Sequence, residues 1–112
     1  MSYVHREENG VDILSLEGSI DLYSTPLIKK FAKSLLKSVN SKIIISMENV
    51  TFVDSSGLGM VVNLFFECKQ KGIEIKLASL SKEAKRVFAV TKLSQNYAFY
   101  ESIQDAIYSF RT

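Results

Sequence analysis

One short segment of this sequence, D-S-S-G-L-G at residues 54–59, has residue types that could carry regulatory chemistry. It follows the apolar run V-T-F-V and precedes apolar residues at helical spacing, so Ser55 and Ser56 are expected at a helix N-terminus. The first N–H groups of a helix lack internal partners and lie at the positive end of the helix dipole, where a serine phosphate is stabilised. A simpler reading stays open, because Asp54, Ser55 or Ser56 could serve only as the N-cap.

Patterns for other kinds of chemistry are missing from the sequence. It contains one histidine, His5, and one cysteine, Cys68, which is too few for a Cys/His zinc site or a disulfide framework. His5 is also far from the serines in sequence, and no Ser-His-Asp or Cys-His set can be assembled. The phosphate-loop pattern G-x-x-x-x-G-K-[ST] is absent as well. We therefore expect no enzyme, no cofactor and no metal, and we interpret Cys68 as a small core or boundary residue.

Length and composition indicate one domain spanning residues 1–112. The chain is 46% hydrophobic and 23% charged, with a net charge of +2, all ordinary globular values. No apolar stretch approaches the ~20 residues of a membrane span, and no secretory signal is visible, so a cytoplasmic protein without a membrane partner is expected.

Five lysines and no acidic residue lie between Asp21 and Glu48. A basic helix could bind an acidic partner or nucleic acid, but a solvated face is favoured, and we expect no nucleic-acid partner.

The elements that must position the serines alternate between strand and helix. Residues 3–8 and 11–17 predict two antiparallel strands, because Asn9-Gly10 is the strongest short hairpin signal. Residues 18–23 predict a loop, and Ser24 is the predicted cap of a helix whose apolar face is Leu27, Phe31, Leu35 and Val39. Further strands are predicted at residues 42–47, 50–53, 73–78 and 97–100, with a turn at Asn49. Further helices are predicted from residue 58 to Gly72, from Ser81 through Thr91, and from Ser102.

This order predicts an α/β fold: a mostly parallel sheet of four or five strands, an N-terminal antiparallel hairpin and about four helices. The loops at residues 18–24 and 54–57 follow strands two and three, so both are expected at the carboxyl edge of the sheet. Ligands and partners of open α/β sheets bind at that edge. We therefore expect Asp21 and residues 54–56 to share one surface.

The chain resembles STAS domains of the anti-sigma factor antagonist type along nearly all of its length. The resemblance is carried by G-x-I-D at residues 18–21, the strand I-I-I-S-M, F-V-D-S-S-G-L-G at residues 52–59, K-x-x-G at residues 69–72, L-A-S-L-S-K-E-A-K-R-V-F at residues 77–88 and T-K-L at residues 91–93. One departure is Ser19, where many members have an acidic residue.

The resemblance implies a protein-binding module that is switched by phosphorylation. In that family a serine kinase that is also the anti-sigma factor phosphorylates the serine after the aspartate, which is Ser55 here. The unphosphorylated form captures the anti-sigma factor and frees the sigma factor, and a PP2C-type serine phosphatase resets the switch. Residues 21–25 and 54–59 are the expected centre of the interface, with Asp21, Ser24, Asp54, Ser56, Gly57 and Gly59 as partner-binding residues.

Several expectations within this region stay open at the level of sequence. Asp21 could either bond turn amides or shape the surface that the kinase contacts. Ser56 is expected to hydrogen-bond backbone groups of the first helical turn, and Gly57 and Gly59 to let a partner backbone approach closely. Two other functions compete with the serine switch: a constitutive STAS adaptor without phosphorylation, and a receiver-like domain phosphorylated on Asp54.

Overall fold

A five-stranded mixed sheet organises the protein, as shown by a computed structural model that describes residues 1–37, 41–89 and 98–111. The strands are in sequential order across the sheet; β1 runs antiparallel to β2, and β2 to β5 are parallel. The predicted hairpin and parallel sheet are thereby confirmed. Within the described residues the elements are β1 (Ser2–Glu8), β2 (Val11–Ile20), a 3-10 turn (Leu22–Ser24), α1 (Thr25–Leu36), β3 (Lys42–Val53), α2 (Ser55–Gln70), β4 (Glu74–Ala78), α3 (Lys82–Ala89), β5 (Phe99–Tyr100) and α4 (Ile103–Ser109).

The hairpin between β1 and β2 has the backbone that its sequence predicts. Asn9 and Gly10 both have positive φ, at 54° and 76°, and the flanking residues Glu8 and Val11 pair directly. A two-residue loop of this kind matches the right-handed twist of the strands that it joins.

The core lies on both faces of the sheet, as the unbroken run Ile43-Ile44-Ile45 indicates. Ile43 and Ile45 belong to the main cluster, which includes residues of α1, α2 and α3. Ile44 points to the other face and packs in a smaller cluster with Ala106 and Ile107 of α4. All three isoleucines are at most 1% exposed, because neighbouring strand residues face opposite sides and helices cover both.

Two bulges in β3 correct the sequence-based boundaries. Between the pairs Ser15–Ser46 and Glu17–Asn49, β3 advances three residues while β2 advances two, and one further residue of β3 is absorbed after Gly18. The predicted turn at Asn49 is therefore wrong, because β3 takes up the extra residue as a bulge and continues to Val53. The predicted loop at residues 18–23 is also too long, since β2 continues to Ile20, which pairs with Val53 of β3.

The predicted helix ends are mostly confirmed. The hydroxyls of Ser81 and Ser102 accept the N–H groups of Ala84 and Asp105, each at 3.1 Å, and Gly72 follows α2 with a φ of 75°. Ser24 stands at the N-cap position of α1, but its side chain makes no capping bond.

Within residues 1–37, 41–89 and 98–111, no helix is long and apolar enough to cross a bilayer. Val39, Thr91 and Tyr97, used in the predicted elements, lie outside the described residues.

Cys68 is a buried core residue, as the sequence predicts. It has no exposed surface and packs in the main cluster. Burial, with a smaller contribution from the neighbouring Glu67, raises the pKa of the Cys68 thiol to about 11. Since the thiolate is the reactive form, this thiol is unreactive near neutral pH.

Candidate functional site

Asp54 joins the start of α2 to the turn that follows β2. It is the N-cap of α2: its Oδ1 accepts the N–H of Gly57 at 2.8 Å, while its Oδ2 accepts the N–H of Leu22 at 3.3 Å. Its own N–H donates to the carbonyl of Ile20 at 3.1 Å. Asp54 therefore fixes the two loops against each other at the carboxyl edge of the sheet, as their topology predicts.

Asp21 organises the 3-10 turn on the other side of this junction. Its Oδ1 accepts the N–H groups of Tyr23 and Ser24, at 3.0 and 3.2 Å. The Ser24 hydroxyl donates to the carbonyl of Ser19 at 2.8 Å, and Ser24 is only 4% exposed. The turn-bonding role of Asp21 is thus present in the structure. Ser24 is a buried residue that stabilises the turn from within. The expectation that it lies on the partner surface is therefore wrong.

Ser55 and Ser56 are both exposed in the first turn of α2. Across the part of the chain that the structure describes, neither hydroxyl makes a hydrogen bond. The expectation that Ser56 bonds the backbone of the first turn is therefore wrong, because Asp54 provides the cap instead. Both hydroxyls are accessible for phosphorylation, and the free N–H groups of the first helical turn lie beside them.

The two glycines after these serines have different roles. Gly57 is buried, and a Cβ there would overlap the carbonyl oxygen of Ile20 and lie 2.8 Å from its Cγ2. Gly57 is therefore required by contact between α2 and β2, and not by a partner backbone as the sequence suggested. Gly59 is exposed, and a Cβ there would meet nothing within 4 Å. Gly59 thus keeps its place on the candidate partner surface.

Two large side chains at this edge were not singled out from the sequence. Leu22 is 60% exposed and Tyr23 is 90% exposed, in the turn between Asp21 and Ser24. Exposed aromatic side chains are typical anchors of protein interfaces, and Leu22 extends the apolar surface beside Tyr23. The signal that could have identified them is the presence of two bulky apolar residues in a segment predicted to be a surface loop.

A groove between α1 and α2 opens at the exposed serines. Its volume is about 560 Å³. Ile28 and Leu64 form a buried apolar floor, at 1% and 3% exposure. The rims carry Lys29, Lys33, Ser55, Ser56, Gly59 and Glu67.

Replacing Asp21 by alanine tests the role of the turn. We expect Asp21→Ala to lower the free energy of unfolding by about 1 kcal/mol, the usual cost of losing a side chain that caps backbone N–H groups. Because Leu22 and Tyr23 lie in this turn, binding of the partner should weaken as well. Urea denaturation and titration with the partner measure the two effects.

The matched control, Glu48→Ala, removes an exposed carboxylate on β3 and should change stability by less than about 0.5 kcal/mol. Unchanged partner binding in Asp21→Ala would limit Asp21 to a structural role.

The fold and the site together define a class of protein. It is a small α/β domain, with an antiparallel first strand on an otherwise parallel sheet, that presents open serines at the N-terminus of its second helix. The family model described as the STAS domain matches residues 3–106. The chain therefore belongs to the STAS domain family.

Relatives and solved structures agree with this assignment. The chain is 32% identical over 90 residues to the anti-sigma-B factor antagonist of Bacillus subtilis, covering 80% of this chain and 81% of that protein. A crystal structure of an anti-sigma factor antagonist from Mycobacterium paratuberculosis superposes with a TM-score of 0.88 at 18% identity, covering 99% of this chain and 94% of that one. The phosphorylated form of the Bacillus cell fate determinant SpoIIAA gives a TM-score of 0.75 at 20% identity, covering 98% of this chain and all of that one. The resemblance to STAS domains of the antagonist type is thus confirmed.

Proposed function

We propose that this protein is an anti-sigma factor antagonist that is switched by phosphorylation of Ser55. Its unphosphorylated form binds an anti-sigma factor that is also a serine kinase, and so releases the sigma factor. Phosphorylation of Ser55 ends the interaction, and a PP2C-type serine phosphatase restores it. The protein acts in the cytoplasm as a binding module and not as an enzyme.

The observation that carries this proposal is the exposed Ser55 directly after the N-cap Asp54. The Asp54 carboxylate accepts the N–H groups of Gly57 and Leu22, so these hydrogen bonds hold the backbone on both sides of the site and fix the position of Ser55. The exposed Leu22 and Tyr23 lie in the turn that Asp54 bonds, and they offer the partner an apolar contact. Ser55 is chosen over Ser56 because it directly follows the aspartate, as the phosphorylated serine does in the family that the sequence resembles.

The chemical step needs ATP and the partner kinase. The bond between the γ-phosphorus of ATP and its bridging oxygen breaks, a bond forms to Ser55 Oγ, and the hydroxyl proton leaves to a base of the kinase as ADP departs. Water reverses the step in the phosphatase, releasing inorganic phosphate. The phosphate adds about −1.5 to −2 charge, which the N-terminus of α2 tolerates, so the fold is retained while the contact surface gains negative charge.

The hydrogen bonds of Asp54 weigh against a receiver-like function. Both of its carboxylate oxygens already accept backbone N–H groups. Within residues 1–37, 41–89 and 98–111, there is also no group of three or more His, Cys, Asp or Glu side chains that could hold a metal ion. The label itself decides between the two residues, because hydroxylamine cleaves an acyl phosphate on Asp54 and leaves a phosphoserine intact.

Affinity purification from the source cell tests the proposed partner. Wild-type protein and Ser55→Asp are used in parallel, and bound proteins are identified by mass spectrometry. We expect a kinase-fold anti-sigma factor bound to wild type and depleted with Ser55→Asp. Equal recovery on both proteins would instead favour the constitutive adaptor.

A further inference from the structure

The α1 side of the groove between α1 and α2 carries a row of lysines to which the proposed function gives no role. Lys29 and Lys33 line the groove, and Lys37 continues their row at the same spacing of one helical turn. No acidic residue lies between Asp21 and Glu48, so α1 carries no negative charge that could neutralise them. Glu67 of α2 also lines the groove, and its Oε1 accepts the side-chain N–H of Asn63 at 3.0 Å. None of the ion pairs within the described residues involves these lysines.

The floor and the length of the groove suit an extended apolar stripe. Ile28, Leu36, Met60 and Leu64 line it, and Leu22 stands exposed at the end near the serines. Along α2 the lining runs from Ser55 to Glu67, which is about 18 Å of helix at 1.5 Å per residue. A helix that lies in such a groove uses apolar residues at positions i, i+3 or i+4, and i+7.

We propose that this groove receives an acidic amphipathic helix of the partner that also contacts Ser55, an inference that rests on the proposed function. The apolar face of that helix covers Ile28, Met60 and Leu64. Its acidic residues, spaced one turn apart, face Lys29, Lys33 and Lys37.

Charge decides against other occupants of the groove. A second copy of this chain, in a two-fold contact, would bring the lysine-bearing patches of both protomers into one interface. An anionic amphiphile with one head group would pair with one lysine of the row and leave the other two without an anionic partner. A helix with acidic residues at the same spacing complements the whole row.

The position of Ser55 in the lining of the groove links this contact to the switch. A phosphate on Ser55 brings negative charge to the groove that receives an acidic helix. The phosphate repels the acidic side chains of that helix. Phosphorylation therefore acts on the whole groove and not only on the atoms around Ser55.

A binding experiment with defined probes tests the groove. The probes are a fluorescent amphipathic peptide with leucines on one face and flanking glutamates, the same peptide with lysines for glutamates, and dodecanoate. Fluorescence anisotropy with the full chain should show binding of the acidic peptide, weakened by salt, and at least about tenfold weaker binding of the basic one. Binding of dodecanoate but not of the acidic peptide would overturn the proposal in favour of a small amphiphile.

Charge-swap variants locate the binding surface. Lys29→Glu with Lys33→Glu should weaken the acidic peptide at least about tenfold and strengthen the basic one. The matched control, Lys30→Glu with Lys82→Glu, makes the same charge change at exposed positions outside the groove and should stay within about twofold. Gly59→Tyr places a ring at the rim, at a position where an added Cβ would meet nothing within 4 Å, and should also weaken the acidic peptide. Equal losses in the groove and control variants would overturn the proposal.

Phosphorylation by the kinase partner separates this proposal from the proposed function. If wild type is phosphorylated on Ser55 but the groove charge-swap variant is phosphorylated equally fast, the groove proposal fails and the switch stands. If wild type binds the acidic peptide but no kinase phosphorylates Ser55, the switch fails and the groove remains an acidic-helix site.

Discussion

Replacing Ser55 by aspartate is expected to lower the affinity for the anti-sigma partner about a hundredfold, which corresponds to about 2.8 kcal/mol. The reason is that an uncompensated charge enters a surface that must lose water when the partner binds. The fold should be unchanged, because a carboxylate in the first turn of α2 interacts favourably with the helix dipole. Isothermal titration measures the affinity, and circular dichroism with urea denaturation measures the fold.

Two variants make this result specific to the site. Ser55→Ala should bind the partner as wild type does, since the hydroxyl makes no hydrogen bond within the described part of the chain. Ser41→Asp adds the same charge to an exposed residue that precedes β3, at the opposite edge of the sheet, and should bind within about twofold of wild type. A similar loss in Ser55→Asp and Ser41→Asp would mean that net charge, and not Ser55, controls the interaction.

Replacing Gly57 by alanine is expected to cost about 3 kcal/mol of folding free energy, the upper end of the usual range for overpacking. The added Cβ would lie 2.6 Å from the carbonyl carbon of Ile20 and 2.8 Å from its Cγ2. Backbone cannot yield as a flexible side chain can, so α2 must move away from β2. That movement would strain the bond between the N–H of Asp54 and the carbonyl of Ile20. Urea denaturation monitored by circular dichroism measures the loss.

Gly59 provides the matched control for Gly57. Both glycines lie in the first turns of α2, but a Cβ on Gly59 meets nothing within 4 Å. Gly59→Ala should therefore stabilise the protein by up to about 1 kcal/mol through helix propensity alone. Similar stabilities for the two alanine variants would show that the contact between Gly57 and Ile20 does not constrain the fold.

Local patterns account for the parts of the fold that the sequence predicts correctly. Asn9-Gly10 fixes a hairpin through its own backbone preferences, and Ser81 and Ser102 cap helices through hydroxyls that reach three residues ahead. The shared edge of Asp21 and Asp54 follows from topology, because parallel strands end on the same side of a sheet.

The features that sequence reasoning missed depend on contacts between distant segments. The bulges in β3 arise from its pairing with β2, so Asn49 looks like a turn residue until the two registers are compared. Ser24 has the residue type of a cap, but its hydroxyl bonds the carbonyl of Ser19. Gly57 looks like a surface glycine, yet Ile20, a residue far away in sequence, determines that no side chain fits there.

Site mapping of the phosphate tests the central claim most directly. Wild type, Ser55→Ala and Ser56→Ala are incubated with ATP and the kinase partner, and the phosphorylated peptides are sequenced by mass spectrometry. We expect one acid-stable phosphate on Ser55 in wild type and in Ser56→Ala, and no label in Ser55→Ala. A phosphate on Ser56, a hydroxylamine-sensitive label on Asp54, or labelling of Ser55→Ala would contradict the account.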